Sequence, residues 1–189
     1  ASELAFQPLA DIDSPEDRAW AQEWVEDLVA AEGVPIVPQV KEEIWSGLRN
    51  LAAGPREQRT LTLLAATVQD QAVKAALTPF TLSGPHGHLL DAHQNTLQAA
   101  VWQTFEMAEL MTNRAALAPV LTYIFRTLER RFDGRPTLLV LDEATSSLDA
   151  AMLLHLPPGA YTVQVSGPTN ANQANGTGLA IVEIYESAL

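Results

Sequence analysis

Apolar positions recur at helical spacing through the first part of the chain. Trp20, Trp24 and Leu28 stand four apart, with Val25 and Val29 beside them, which is the stripe of an amphipathic helix. Ser14-Pro15-Glu16-Asp17 marks its start. Ser14 can cap, Pro15 suits the first helical position, and Asp17 stands where a capping-box acid would. Gly33 marks its end. The acids Glu16, Asp17, Glu23, Glu26 and Asp27 lie mostly towards the other face and read as solvated. Val40, Ile44, Leu48 and Leu51 repeat the helical pattern until Gly54-Pro55 stops it. A third helical stretch runs from about Leu61 to Leu77, with a break expected near Gln69-Asp70, and Pro79 closes it. These elements predict an all-helical block over about 14–78. Phe6 to Asp13 reads as an extended entry segment.

The pattern then changes period. Thr81 to His93 reads as a loop, and Val101 to Glu106 as a strand anchored by Val101 and Phe105. Leu110 and Met111 begin a helical turn. Ala115 to Arg131 is a strong amphipathic helix, with Pro119 tolerated in its first turns. Leu138 to Leu141 is a short apolar run between Pro136 and Asp142, the signature of a strand buried on both faces of a parallel sheet. Strand, helix and strand in this order predict a right-handed crossover, with 101–106 and 137–142 parallel in one sheet. After Thr145 the alternation of Tyr161, Val163 and Val165 with Thr162, Gln164 and Ser166 predicts a half-buried antiparallel strand. A polar loop over 167–178 and a second strand over Leu179–Glu186 complete a β-rich tail. The fold class is therefore α/β with a short antiparallel β tail, divided into 1–145 and 146–189.

Composition adjusts this picture. The chain has 189 residues, enough for a real core, and a net charge of −12. That charge argues against nucleic acid as a direct partner, because phosphate binding needs a basic surface. All Lys and Arg lie between Arg18 and Arg135, which supports a second unit after Glu143. Without cysteine, neither disulfides nor Cys-based zinc sites are available. No apolar run reaches the length of a membrane span, and the start lacks a signal-peptide pattern. A first residue of Ala suggests a fragment or a processed product.

Two groups of residues invite a chemical reading. His86, His88 and His93 have ligand-like spacing, but only Asp91 stands near as a carboxylate, and a solvated loop is the better reading. Asp142 and Glu143 follow the Leu138–Leu141 run. Ligands of open α/β sheets bind beyond the carboxyl ends of strands. An Asp there can hold Mg²⁺ through its water shell while a Glu orients an attacking water. By spacing alone, two solvated carboxylates are an equal reading.

Ordered blocks along the chain carry a resemblance. These are Phe6-Gln-Pro-Leu-Ala-Asp-Ile-Asp13, Pro55-Arg-Glu-Gln-Arg-Thr-Leu-Thr62, Gly84-Pro-x-Gly87-x-Leu-Leu-Asp-Ala92, Phe105-Glu-Met-x-Glu-Leu-Met111 and Ala118-Pro-Val-Leu-Thr-Tyr123. The last is Arg131-Phe-Asp-Gly-Arg-Pro-Thr-Leu-Leu-Val-Leu-Asp-Glu-Ala144. Residues from about Phe6 to Ala144 resemble the TrbE-type conjugal-transfer ATPases of the type IV secretion ATPase family. The resemblance implies a partial RecA-like P-loop NTPase fold, with ATP and Mg²⁺ as cofactors. It implies Asp142 and Glu143 as the Walker B pair, Asp142 for metal through water and Glu143 as the catalytic residue. It also implies partnership with its own kind or with other transfer-apparatus subunits, in the bacterial cytoplasm at the inner membrane.

The sequence departs from that family in two places. A phosphate loop needs Gly-x-x-x-x-Gly-Lys-[Ser/Thr], whereas the only lysines are Lys41 and Lys74 and neither follows a Gly. The family carries its loop upstream of the matched blocks. From about Ser146 the tail resembles instead a β-rich repeat of secreted bacterial proteins. Leu141 to Asp149 is also similar to the Walker B region of ABC-type ATPases, but the nearest likeness to their signature, Leu82-Ser-Gly84, stands too far upstream. Three readings follow: half of a nucleotide site, inactive alone; a non-catalytic assembly module; or a site completed by a phosphate loop from another chain.

Overall fold

A computed structural model describes residues 5–96, 110, 113–132, 137–141 and 161–165. The described residues are mainly helical, with one two-stranded sheet. The chain divides into two compact units, 1–124 and 125–189.

In the first unit, α1 (Pro15–Ala31) and α2 (Pro38–Ala52) pack together. The Ser14 hydroxyl accepts from the Asp17 N–H at 3.0 Å and donates to the Asp17 carboxylate at 2.8 Å. The helix thus starts where Ser-Pro-Glu-Asp marks it, with the Asp17 carboxylate also accepting from the capping hydroxyl. Gly33 adopts φ +82°, and Gly33 N and Val34 N bond back to Ala30 O and Val29 O. This paired closure needs a left-handed residue, which glycine supplies without steric cost. Trp24, Val25, Leu28 and Val29 are buried, as the stripe predicts. Glu26 corrects the solvated-face reading: it is buried and pairs with Lys41 at 2.9 Å.

The stripe residues Val40, Ile44, Leu48 and Leu51 of α2 are buried. Its Gly47 lets α3 approach, since a Cβ there would stand 2.7 Å from Leu64 Cδ1. The third helical stretch does break where expected, into α3 (Leu61–Thr67) and α4 (Gln71–Leu77). Asp70 caps α4 through Ala72 N and Val73 N, while Glu43 of α2 accepts from Gln69 N and Asp70 N. The break is therefore a built corner that takes up the freed backbone donors. Short α5 (Gly87–Leu90) follows, then α6 (Arg114–Glu129). The boundary between the units falls within α6. Ala116, Leu117, Val120, Tyr123 and Ile124 of α6 are buried. The Trp24 indole N–H donates to Pro119 O at 3.1 Å, so this tryptophan is a core residue with its polar tip satisfied.

In the second unit, β1 (Thr137–Leu141) and β2 (Tyr161–Val165) pair in parallel, with Thr137 opposite Tyr161 and Leu141 opposite Val165. The expected antiparallel pairing is of 161–165 with 179–186, and that pairing lies outside the described residues. Alternation reports burial of one face but not strand direction. The intervening residues 142–160 exceed the dozen or so that a parallel connection needs. The expected strands at 101–106 and 179–186 lie outside the described residues.

Candidate functional site

Because β1 and β2 are parallel and in register, Leu141 and Val165 end the ladder at the same sheet edge. That is the edge at which open parallel sheets place their ligands. Asp142 and Glu143 follow Leu141 in the chain and lie outside the described residues.

Three of the other family-like blocks, 6–13, 55–62 and 84–92, meet in the first unit, and nearly all of the block at 105–111 lies outside the described residues. Segment 6–13 lies across two of them. Phe6 N donates to Leu89 O at 2.7 Å and Ala92 N donates to Phe6 O at 3.1 Å. The Gln7 amide donates to Arg56 O at 2.6 Å, and Gln7 N to Asn95 Oδ1 at 2.8 Å. Arg59, only 6% exposed, is the central residue of the second block. Its guanidinium donates to Ala10 O at 2.9 Å, Ala52 O at 3.1 Å and Asp13 Oδ1 at 2.8 Å. This bond and the charge of Arg59 hold the Asp13 carboxyl below its ordinary range. Arg56 adds an exposed pair with Asp11 at 2.7 Å.

Asp91 closes the third block. It is fully buried and accepts from Thr62 N at 3.1 Å, from Leu82 N at 2.8 Å and from the Thr62 hydroxyl. A buried carboxylate held by several N–H and O–H donors is satisfied without a cation. Hydrophobic periodicity cannot find Arg59, Gln7 or Asp91, because each breaks the apolar pattern it is buried in. Their presence in the ordered blocks was the only signal.

Two of the loop histidines have protein partners, while His88 is exposed. His93 Nδ1–H donates to Glu57 O at 2.9 Å. His86 packs on Phe80, ring centroids 5.4 Å apart, and accepts from the Asn113 amide at 2.9 Å. Among the described residues no group of three His, Asp or Glu side chains could hold a metal. Lys41 pairs with Glu26 and Lys74 lies in α4, so the described residues offer no phosphate cradle and do not by themselves fit a nucleotide. A groove of about 430 Å³ beside α2 is lined by Glu42, Glu43, Ser46, Asn50 and Gln69. Its two carboxylates make it unsuited to phosphate. Among the described residues no helix is long and apolar enough to cross a membrane.

No protein-family model matches the chain. It is 44% identical over 142 residues to a probable TrbE conjugal transfer protein of Sinorhizobium fredii. It is 45% identical over 142 residues to the conjugal transfer protein TrbE of Rhizobium radiobacter. Each match covers 75% of this chain, but 21% and 17% of those relatives. The chain thus spans about a fifth of the length of the curated relatives it matches. A more distant similarity, 23% over 147 residues, is to the type IV secretion system protein virB4 of Bartonella quintana.

Proposed function

The chain is, over three quarters of its length, a relative of the TrbE conjugal transfer proteins, and from that premise we propose that it represents a portion of an ATP-driven motor of conjugal transfer. The 44–45% identity to two such proteins carries this reading. In it Asp142 serves Mg²⁺ through water and Glu143 orients the attacking water, at the end of the strand that contains Leu141. The sheet belongs to a RecA-like domain. The partners are copies of the motor and other transfer-apparatus subunits, at the cytoplasmic face of the inner membrane. Residues 1–145 form the ATPase-derived region and 146–189 a separate β-rich region.

This sequence has no Gly-x-x-x-x-Gly-Lys segment, so we assign no step of hydrolysis to it alone. Incubated with Mg-ATP, the chain is expected to give no turnover, and Glu143→Gln no change. Adding a separate polypeptide with the phosphate loop of a rhizobial relative tests completion of the site. Turnover that then appears and is lost in Glu143→Gln supports the Walker B assignment. Turnover by this chain alone that Glu143→Gln abolishes overturns the half-site reading.

A second reading, an assembly module, is favoured by the independent core of residues 5–124. Sedimentation as a strict monomer, with no association on adding transfer-apparatus subunits, removes it.

A further inference from the structure

Asn113 stands between two partners with opposite needs. Its side-chain oxygen accepts from Ala116 N at 3.3 Å, at the first turn of α6. That leaves its amino group to donate to His86 Nδ1 at 2.9 Å. Ala116 N also reaches the Asn113 backbone carbonyl at 3.2 Å, and Leu117 N reaches the same carbonyl at 3.0 Å. His86 itself is held by its own backbone, donating to Pro79 O at 3.0 Å, and by the Phe80 ring. The 84–91 loop is thereby tied to the start of α6 through one side-chain hydrogen bond whose acceptor is an imidazole nitrogen.

An imidazole accepts only when neutral, because a proton on Nδ1 makes that nitrogen a donor. A charged His86 would face the Asn113 amino group donor to donor. Turning the amide over restores that bond but aims the amino group at Ala116 N–H, so the helix loses its side-chain cap. No orientation of Asn113 satisfies both partners once His86 is charged. We propose that His86 and Asn113 form a proton-sensitive joint, in which protonation of His86 uncouples the 84–91 loop from the first turn of α6.

The surroundings agree in direction. Burial lowers the affinity of His86 for a proton, and His88 on α5 adds to the effect, while Glu32 at the end of α1 opposes it. A His that is harder to protonate when folded contributes stability that is complete above its ordinary value of 6.5 and is lost as pH falls below it. The joint is therefore closed at neutral pH and opens with acid. This inference stands apart from the nucleotide reading, since none of its residues belongs to that assignment.

Amide exchange of the full chain at pH 7.5 and pH 5.5 tests it, read as protection factors so that the intrinsic pH dependence of exchange cancels. Protection at Ala116 and Leu117 is expected to fall roughly five-fold in acid, the size of a lost helix cap. His86→Gln keeps an acceptor that does not titrate and should flatten the response, while His88→Gln should leave it in place. Asn113→Asp supplies oxygens to both neighbours and should invert it, protecting the first turn of α6 more strongly in acid. A flat response in the native chain, or an acid loss in Asn113→Asp equal to the native one, overturns the proposal. Should His86→Gln fail to fold, nitrogen chemical shifts of His86 in the native chain decide. A neutral ring with its proton on Nε2 at pH 7.5 supports the joint, and a proton on Nδ1 overturns it.

Discussion

Within residues 5–124, distant segments are joined by side chains reaching backbone: Gln7 to Arg56 O, Arg59 to Ala10 O and Ala52 O, Asp91 to Thr62 N and Leu82 N, Trp24 to Pro119 O. Between β1 and β2 the described join is a backbone ladder. A ladder uses groups that every residue except proline possesses, so many sequences can supply its second strand. These side-chain joints of the helical unit each need one residue type at one place, although Phe6 also meets Leu89 and Ala92 there through backbone hydrogen bonds. The family-like blocks at 6–13, 55–62 and 84–92 coincide with those joints. The strand at Tyr161–Val165 pairs in register with β1. Among the described contacts, the helical unit adds side-chain joints to its backbone ones, whereas β1 and β2 are described by their ladder.

The contrast breaks most sharply at the glycines of the 84–92 block. A Cβ on Gly87 would stand 2.0 Å from Thr81 O, and one on Gly84 would stand 2.3 Å from both Pro79 O and Thr78 O. Backbone atoms cannot yield as a flexible side chain does. Gly87→Ala is expected to destabilise the helical unit by about 3 kcal/mol or more, read as a large drop in the thermal midpoint. A midpoint unchanged from the native chain would refute the close approach.

Arg59→Met keeps much of the buried stem and removes every donor. It leaves Ala10 O and Ala52 O without this partner, and the loss is expected to be about 2–3 kcal/mol, measured by denaturant midpoint. Because Asp13 is largely exposed, removing it should matter far less: Asp13→Asn is expected to leave the denaturant midpoint close to the native one. Equal losses in the two variants would mean that the ion pair, rather than the carbonyl contacts, carries the joint.

The ladder should respond to backbone chemistry and barely to side-chain identity. Val163→Thr is expected to shift amide protection across β1 and β2 by no more than about 1 kcal/mol. Val163→Pro should abolish that protection, since proline cannot donate to a ladder. A large effect from the threonine variant would show that this pairing too depends on particular side chains.

Much of the helical unit was legible in the chain. Spacing of apolar residues placed α1, α2 and α6, and Asp70 marked the break between α3 and α4, because helix period and capping are local properties. The parallel direction of β2 was not legible, since alternation is the same for both directions. The chemical promise of His86, His88 and His93 was legible only as spacing. In the structure His86 faces Phe80 and Asn113 while His93 faces Glu57 O, partners that spacing within the loop does not reveal. The burial of Glu26 against Lys41 escaped for the same reason.

What the sequence determined by itself was local: where helices start and stop, which stripe is apolar, and which ordered blocks tie the chain to the TrbE proteins. Tertiary structure alone decided what those blocks do for one another. Buried polar residues such as Arg59 and Asp91 carry no periodic signal, and their role exists only once the chain has brought Ala10, Ala52, Thr62 and Leu82 within hydrogen-bond reach. A buried charge is stable only with its partners in place, so its meaning lies in the contacts that folding creates rather than in its position along the chain.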